Sequence, residues 1–226
     1  MPSDPRMNLL PLFISFPRTG AHWINCVMEC YFDRPRLRER RTTFLDRTRT
    51  DWMWFHDHDM KLDVQHADVL LLYREPVATV FSNLVYDRRR AARSLFGRLF
   101  GRNPAPADLA TVARGCDIYR RHCEKWLLSG QRARTMVRHE YFRTQRAEEF
   151  GKICAHFGRP LDVRRMEEAF ATVTPEALVA KTGDTTEMGS HMLGEDYEAA
   201  RRAFAEQWGG FIREHAVTLA LRPFFS

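Results

Sequence analysis

The stretch Phe13-Ile14-Ser15-Phe16-Pro17-Arg18-Thr19-Gly20-Ala21-His22-Trp23-Ile24 joins a short apolar run to an apolar-periodic segment through a turn. The run from Leu9 to Ser15, interrupted by Pro11, reads as a buried strand, Pro17 to Gly20 as a turn, and Ala21 onward as a helix. Such a junction suits an anion. The first N–H groups of a helix lack intrahelical partners and coincide with the positive end of its dipole. Gly20 permits close backbone approach, and Arg18 adds a permanent charge with a planar donor fork. An ordinary strand-to-helix turn with a solvated arginine is the competing reading of this stretch alone.

A second cluster follows Asp51-Trp52-Met53-Trp54-Phe55, where a strand-like apolar run stops at His56-Asp57-His58-Asp59. Open α/β sheets place ligands at the carboxyl ends of their strands. Imidazole titrates near neutrality, so His56 is a candidate general base, with a neighbouring carboxylate to orient it. A metal site built on the His-x-His pattern and a polar loop of no chemical role are the other readings.

Val69-Leu70-Leu71-Leu72-Tyr73 is a third buried strand, ending at Arg74-Glu75-Pro76 before a helix with Val77, Val80, Phe81, Leu84 and Val85 on one face. Strand, basic turn and helix recur. Ser82 lies eight residues after Arg74, roughly two helical turns along, so both could reach one phosphate beside the helix.

The remaining elements must position these groups. Trp23, Val27, Cys30 and Tyr31 give the first helix a sheet-facing side. Arg34 to Thr50 is arginine-dense and aperiodic, which predicts an exposed connection with solvated charges. Arg88 to Arg102 combines six arginines with Leu95, Phe96, Leu99 and Phe100. It reads as a packed helix with a basic face or as a lid against a membrane surface or an acceptor. Leu109, Val112, Cys116, Tyr119, Cys123 and Trp126 mark a long core helix ending near Gly130. Thr135 to Arg138 predicts a strand, followed by a helix carrying Phe150, Ile153, Cys154 and Phe157 that Gly158 and Pro160 stop. A further helix runs through Met166, Phe170 and Val173, Lys181 to Gly194 reads as a long loop, and Glu195 to His215 as helix.

Composition bounds the partners. The apolar share is 44% and the mean hydropathy −0.45, and no apolar run approaches the roughly 20 residues of a membrane span. The five cysteines, Cys26, Cys30, Cys116, Cys123 and Cys154, show no CxxC spacing, so neither a disulfide framework nor a zinc site is indicated, and a reducing cytoplasm is the expected location. A net charge of +6 favours an anionic partner: a nucleotide, a nucleic acid or an acidic lipid surface.

Three separated stretches together resemble the sulfotransferases of the cytosolic type. Phe16-Pro17-Arg18-Thr19-Gly20-Ala21-His22-Trp23 is similar to their 5′-phosphosulfate loop, Tyr/Phe-Pro-Lys/Arg-Ser/Thr-Gly-Thr-x-Trp. Arg74-Glu75-Pro76 with Ser82 resembles their 3′-phosphate segment. Val137-Arg138-His139-Glu140-Tyr141-Phe142, a helix, then Gly158-Arg159-Pro160-Leu161 resembles their Arg-Tyr-Glu-Asp-Leu strand end and the Gly-x-Pro-Leu that follows. The matches run in order through residues 9–161.

The resemblance implies one α/β domain over residues 1–226, with a central parallel sheet flanked by helices and a P-loop-like nucleotide-binding architecture, the nucleotide elements in 9–161 and a helical part in 162–226. It implies transfer of a sulfuryl group from 3′-phosphoadenosine 5′-phosphosulfate to an acceptor hydroxyl on a glycan, lipid or small metabolite. Adenosine 3′,5′-bisphosphate is then the product, and no metal is required. Arg18, Thr19, Gly20, Ala21, His22 and Trp23 would surround the 5′-phosphosulfate, Arg74 and Ser82 the 3′-phosphate, and His56 would deprotonate the acceptor, with His58 its competitor. His139 stands where the family has a tyrosine that contacts adenine, and Lys181 in Lys181-Thr182-Gly183-Asp184 is all that matches the family's last phosphate segment.

Two departures bear on mechanism. Arg18 replaces the commoner lysine beside the sulfate and cannot serve as a proton donor, because its pKa stays above about 12. Ala21 replaces a threonine, which shifts weight to backbone N–H groups. A kinase of the P-loop class predicts GxxxxGK[ST], and no Lys-Ser/Thr follows Gly20. A basic scaffold for nucleic acid or anionic lipid needs neither the Arg74 and Ser82 spacing nor His56, so no nucleic acid is expected as partner, and peripheral contact with a membrane stays open through Arg88 to Arg102.

Overall fold

The computed structural model describes residues 9–37, 44–46, 48–93, 107–128, 133–182 and 194–226. A four-stranded, all-parallel sheet in the order β2-β1-β3-β4 organises the first part of the chain. Its strands are β1 (Leu12–Ser15), β2 (Phe55–Asp57), β3 (Asp68–Tyr73) and β4 (Ala133–Arg138). The register pairs Phe13 with His56 and Leu70, and Leu72 with Val137. The fold is thus α/β, with β1 passing through a phosphate-loop-like turn into α1 (Ala21–Phe32).

The sequence dictates the sheet's burial. Leu12, Phe13, Ile14, Val69, Leu70, Leu71 and Leu72 are all buried on alternating faces, as a parallel sheet covered on both sides requires. Because β1 is flanked by β2 and β3, the direction of chain progression reverses beside it. The crevice at the carboxyl end of β1 is therefore the switch point where open α/β sheets bind ligands.

By contact the chain divides into two compact units, residues 1–74 with 130–188, and residues 75–129 with 189–226. The first holds the sheet, α1, α4 (Tyr141–Thr144), α5 (Arg146–His156), α6 (Val163–Thr172) and α7 (Pro175–Thr182). Phe13, Leu70, Leu72 and Val137 pack with Ile24, Val27 and Met28 of α1, Phe150 and Ile153 of α5, and Met166 and Phe170 of α6. Gly158 ends α5 at φ +63°, a conformation that favours glycine. Asp162 caps α6 by accepting from the Arg165 N–H at 3.0 Å.

The second unit holds α2 (Pro76–Arg93), α3 (Leu109–Leu128), α8 (Gly194–Ala216) and α9 (Arg222–Phe225). Glu75 caps α2, its carboxylate accepting from the Ala78 N–H at 2.8 Å. The α3 stripe Val112, Cys116, Tyr119, Cys123 and Trp126 is buried as its spacing predicts, and Leu109 is exposed. Phe81 of α2 meets Tyr197 and Phe204 of α8. Most of the Arg88 to Arg102 stretch and of the 181–194 loop lies outside the described residues.

The expectation of an exposed connection over Arg34 to Thr50 is corrected by Arg36. Residues 35–37 run beside β2, the Leu37 N–H donating to Trp54 O at 2.7 Å and the Met53 N–H to Pro35 O at 3.1 Å. This draws the Arg36 side chain inside, where it is fully buried with Glu29 of α1, Nε to Oε1 3.4 Å. The other Glu29 oxygen accepts from the Phe44 N–H at 2.6 Å. A charge that reads as solvated in the sequence is buried because α1 offers a carboxylate to meet it. Among the described residues no helix is long and apolar enough to cross a membrane.

Candidate functional site

The carboxyl ends of the strands bring together most of the residues singled out by sequence. Residues 17–20 form the turn after β1, with Arg18 at φ +68° and Gly20 at φ +89°. Gly20 is the N-cap of α1, and no side chain caps that end. Left-handed residues in alternation with helical ones turn successive N–H groups toward one side, which suits an anion. The buried Thr19 hydroxyl closes the turn by donating to Phe16 O at 2.8 Å. Arg74, which follows β3, locks it from the other side by donating to Arg18 O at 3.2 Å.

His139, just after β4, covers the loop. Its N–H donates to Tyr73 O at 2.9 Å, and its ring lies against Gly20 where any Cβ would stand. Trp23 meets the edge of that ring at 6.3 Å and packs against Phe142 and Phe170. Its indole N–H donates to Val173 O at 3.2 Å. His22 turns back along α1, its Nδ1 3.4 Å from the Arg36 guanidinium. Thus the side chains of Thr19, His22 and Trp23 hold the loop together, and Ala21 adds no polar group. The loop thus sets main-chain N–H groups at an α1 end that no side chain caps, beside the guanidinium of Arg74.

Beside the loop, His56 lies within β2 rather than after it, because Phe55 to Asp57 pair with β1. Its Nε2 is 3.0 Å from the hydroxyl of Ser15, the last residue of β1. His58 reaches the same residue, with Nδ1 2.8 Å from the carbonyl and 3.3 Å from the hydroxyl of Ser15. The two rings meet edge to face at 4.6 Å. Ser15 thus gathers both histidines, a role its place in an apolar strand does not announce. The only hint in the sequence is a polar residue at the strand end, just before the turn.

The carboxylates of the His-Asp-His-Asp run turn the chain. Asp57 accepts from the Asp59 N–H at 2.6 Å, and Asp59 from the Val64 N–H at 3.0 Å. Among the described residues no three His, Cys, Asp or Glu side chains converge to hold a metal ion. Tyr73, next to Arg74, has its phenol pushed up to about 12 by burial, against a lowering by Arg138, and stays protonated.

One expected ligand falls elsewhere. Lys181 is in the last turn of α7, not in a loop, and its ammonium donates to Phe44 O at 3.3 Å and sits 4.6 Å over the Phe44 ring. Phe44 is tied to Glu29, two turns down α1 from Gly20, so Lys181 stands apart from the phosphate loop. Ser82 is a buried residue of α2 in the second unit, and its link to Arg74 rests on spacing along the chain.

No protein-family description matches the chain, and no curated relative does. Among solved structures it is similar to the crystal structure of mouse sulfotransferase SULT7A1 complexed with PAP, at a TM-score of 0.55 and 14% identity. That match covers 97% of this chain and 91% of the other. At this identity the likeness concerns the fold.

Proposed function

We propose that this protein is a sulfotransferase that uses 3′-phosphoadenosine 5′-phosphosulfate to sulfate an acceptor hydroxyl. The observation that carries the reading is the loop at residues 16–20, whose main-chain N–H groups, Arg18 and the neighbouring Arg74 suit an anion, with His56 in the adjoining strand and His58 just after it. The likeness in fold to a sulfotransferase complexed with PAP supports it. The donor set suits the group: fixed N–H dipoles and guanidinium charges favour a phosphosulfate and ask for no metal.

The bound nucleotide supplies an activated sulfuryl group, whose bond to the 5′-phosphate breaks as the bond to the acceptor oxygen forms. The residues do the rest. A histidine of the His56 and His58 pair takes the acceptor proton, and the α1 N-terminus with Arg18 stabilises the charge left on the phosphate oxygen. Arg18 acts by charge and donates no proton, so the leaving phosphate departs as an anion. Arg74 holds the loop through Arg18 O and faces the nucleotide's 3′-phosphate. The thiols of Cys116 and Cys123 are pushed up to about 11 and about 12 by burial, which keeps them protonated, and they take no part in the chemistry.

Thermal stabilisation tests the reading. Adenosine 3′,5′-bisphosphate is expected to raise Tm more than ATP with magnesium or an oligonucleotide does. Stabilisation by the oligonucleotide alone would overturn the enzyme reading. A screen of hydroxyl acceptors with labelled sulfate donor then identifies the acceptor class.

A further inference from the structure

At the far end of α1 we infer a second binding site, for a small, flat aromatic anion whose ring packs against Tyr31, Phe32 and Trp52 and whose acidic group meets Arg159 and Arg165. These five side chains line a cavity of about 610 Å³, within the roughly 300 to 1,000 Å³ of small-molecule pockets. The cavity is separate from the crevice. The phosphate loop leads into the first residue of α1 and the cavity lies at the last, and 12 helical residues span roughly 18 Å. Trp52 also precedes β2 (Phe55–Asp57), so the cavity opens toward the amino ends of the strands, opposite the loop.

The floor of the cavity is fixed before any ligand arrives. Phe32 meets Tyr31 edge to face at 4.9 Å and packs on Phe157 at 5.3 Å. The Tyr31 hydroxyl accepts from the Asp162 N–H at 2.8 Å and donates to Pro160 O at 3.3 Å, which ties the chain between α5 and α6 to the end of α1. The charges of the wall are unevenly matched. Asp51 is held by Arg34 and, at 2.8 Å, by Arg49. Asp162 caps α6, whose first N–H groups offset its charge. Arg159 and Arg165 are exposed, and among the described residues neither guanidinium pairs with a carboxylate. The Arg165 guanidinium lies 5.7 Å over the Tyr31 ring. Planar forks of this kind bind carboxylate, sulfate or phosphate, and the rings below them accept a flat apolar body. A cationic rim over an aromatic floor therefore selects a ligand that has both parts, because an inorganic anion uses only the rim and a neutral arene only the floor.

Naphthalene-2-sulfonate, titrated into the full-length protein, tests the site by calorimetry and by nitrogen-15 spectra of the indole N–H groups. A Kd of about 1 mM or tighter is expected, with a shift at Trp52 and none at Trp23 beside the phosphate loop. Neutral naphthalene-2-sulfonamide and inorganic sulfate, each lacking one part, are expected to bind about tenfold more weakly or worse. Arg159→Gln and Arg165→Gln, both at exposed positions, should each weaken the sulfonate about fivefold, the upper range for an exposed charge pair. Saturating adenosine 3′,5′-bisphosphate should leave the probe bound. Absence of binding, equal affinity for the sulfonamide, or wild-type affinity in the double variant overturns the proposal. So does release of the probe by adenosine 3′,5′-bisphosphate with a shift at Trp23, which would put the sulfonate in the loop. If the bisphosphate fails to stabilise the protein, the transfer reading falls, and the Trp52 shift and the two arginine variants still decide this site.

Discussion

The imidazole of His139 lies so close to Gly20 that a Cβ built there would stand 2.5 Å from Cδ2 and 2.6 Å from Nε2 of the ring. Two constraints therefore meet at Gly20: φ of +89°, which side chains resist, and a ring already occupying the space. Gly20→Ala must move His139 or abandon the left-handed turn, and either change disturbs the N–H groups at the start of α1. The variant is expected to fold, with its sheet unaltered, and to lose about tenfold or more in affinity for adenosine 3′,5′-bisphosphate by calorimetry, a cost of roughly 1.4 kcal/mol. Wild-type affinity in this variant would show that the turn is not the nucleotide cradle.

Arg74 ties the end of β3 to the same loop through Arg18 O, and Glu140 lies 3.9 Å from its Nε. Arg74→Ala removes both the lock and a cation beside the loop. Binding of adenosine 3′,5′-bisphosphate is expected to weaken by about 1.5 to 3 kcal/mol, the value of a hydrogen bond to a charged group. Arg74→Lys recovers only part of this, because an ammonium cannot bridge a carbonyl and a phosphate as a fork does. Affinities equal to wild type in both variants would remove Arg74 from the site.

Much of this arrangement is legible in the sequence because it is local. The strand, turn and helix over residues 12–32 follow from an apolar run, a Pro-to-Gly turn and helical periodicity, and the α3 stripe follows from spacings of three and four. What spacing does not carry is lateral order. Nothing in residues 55–57 says that β2 takes one side of β1 and β3 the other, yet that order makes the crevice and brings His56 opposite Phe13. Side-chain partners across strands are hidden for the same reason. The family resemblance sets Thr19, His22 and Trp23 around a phosphosulfate, and it does not carry the contacts their side chains make to Phe16 O, the Arg36 guanidinium and Val173 O.

Arg36 shows the limit from the other direction. In sequence it is one arginine among many, but a clue lies seven residues earlier, where Glu29 interrupts the buried side of α1 between Met28 and Tyr31. An acid on such a face calls for a buried cation. Glu29→Gln leaves the fully buried Arg36 guanidinium without that counter-charge and weakens the tie to the Phe44 N–H. Loss of about 3 to 5 kcal/mol of unfolding free energy in urea is expected, the cost of breaking a buried pair from one side. A loss below about 1 kcal/mol, the range of an exposed pair, would mean that water reaches Arg36.

His156 supplies a test in which two physical effects have opposite signs. It ends α5 with its side chain 4% exposed, Nε2 3.3 Å from the Asp68 carboxylate and Nδ1 3.1 Å from the Thr135 hydroxyl. Burial disfavours the imidazolium and Asp68 favours it, and burial prevails, so its pKa lies below the ordinary 6.5. The unfolded chain then binds the proton more readily than the folded one. Stability is fully present above about pH 6.5 and is lost as the pH falls from there through the lowered folded value. Tm of the wild-type protein is therefore expected to drop more between pH 7 and 5 than that of His156→Gln, which has no ring to titrate. Were the ion pair with Asp68 dominant, the slope would reverse, and the wild-type protein would gain on the variant as the pH falls. The difference between the two curves isolates this one group from the carboxylates that titrate further down.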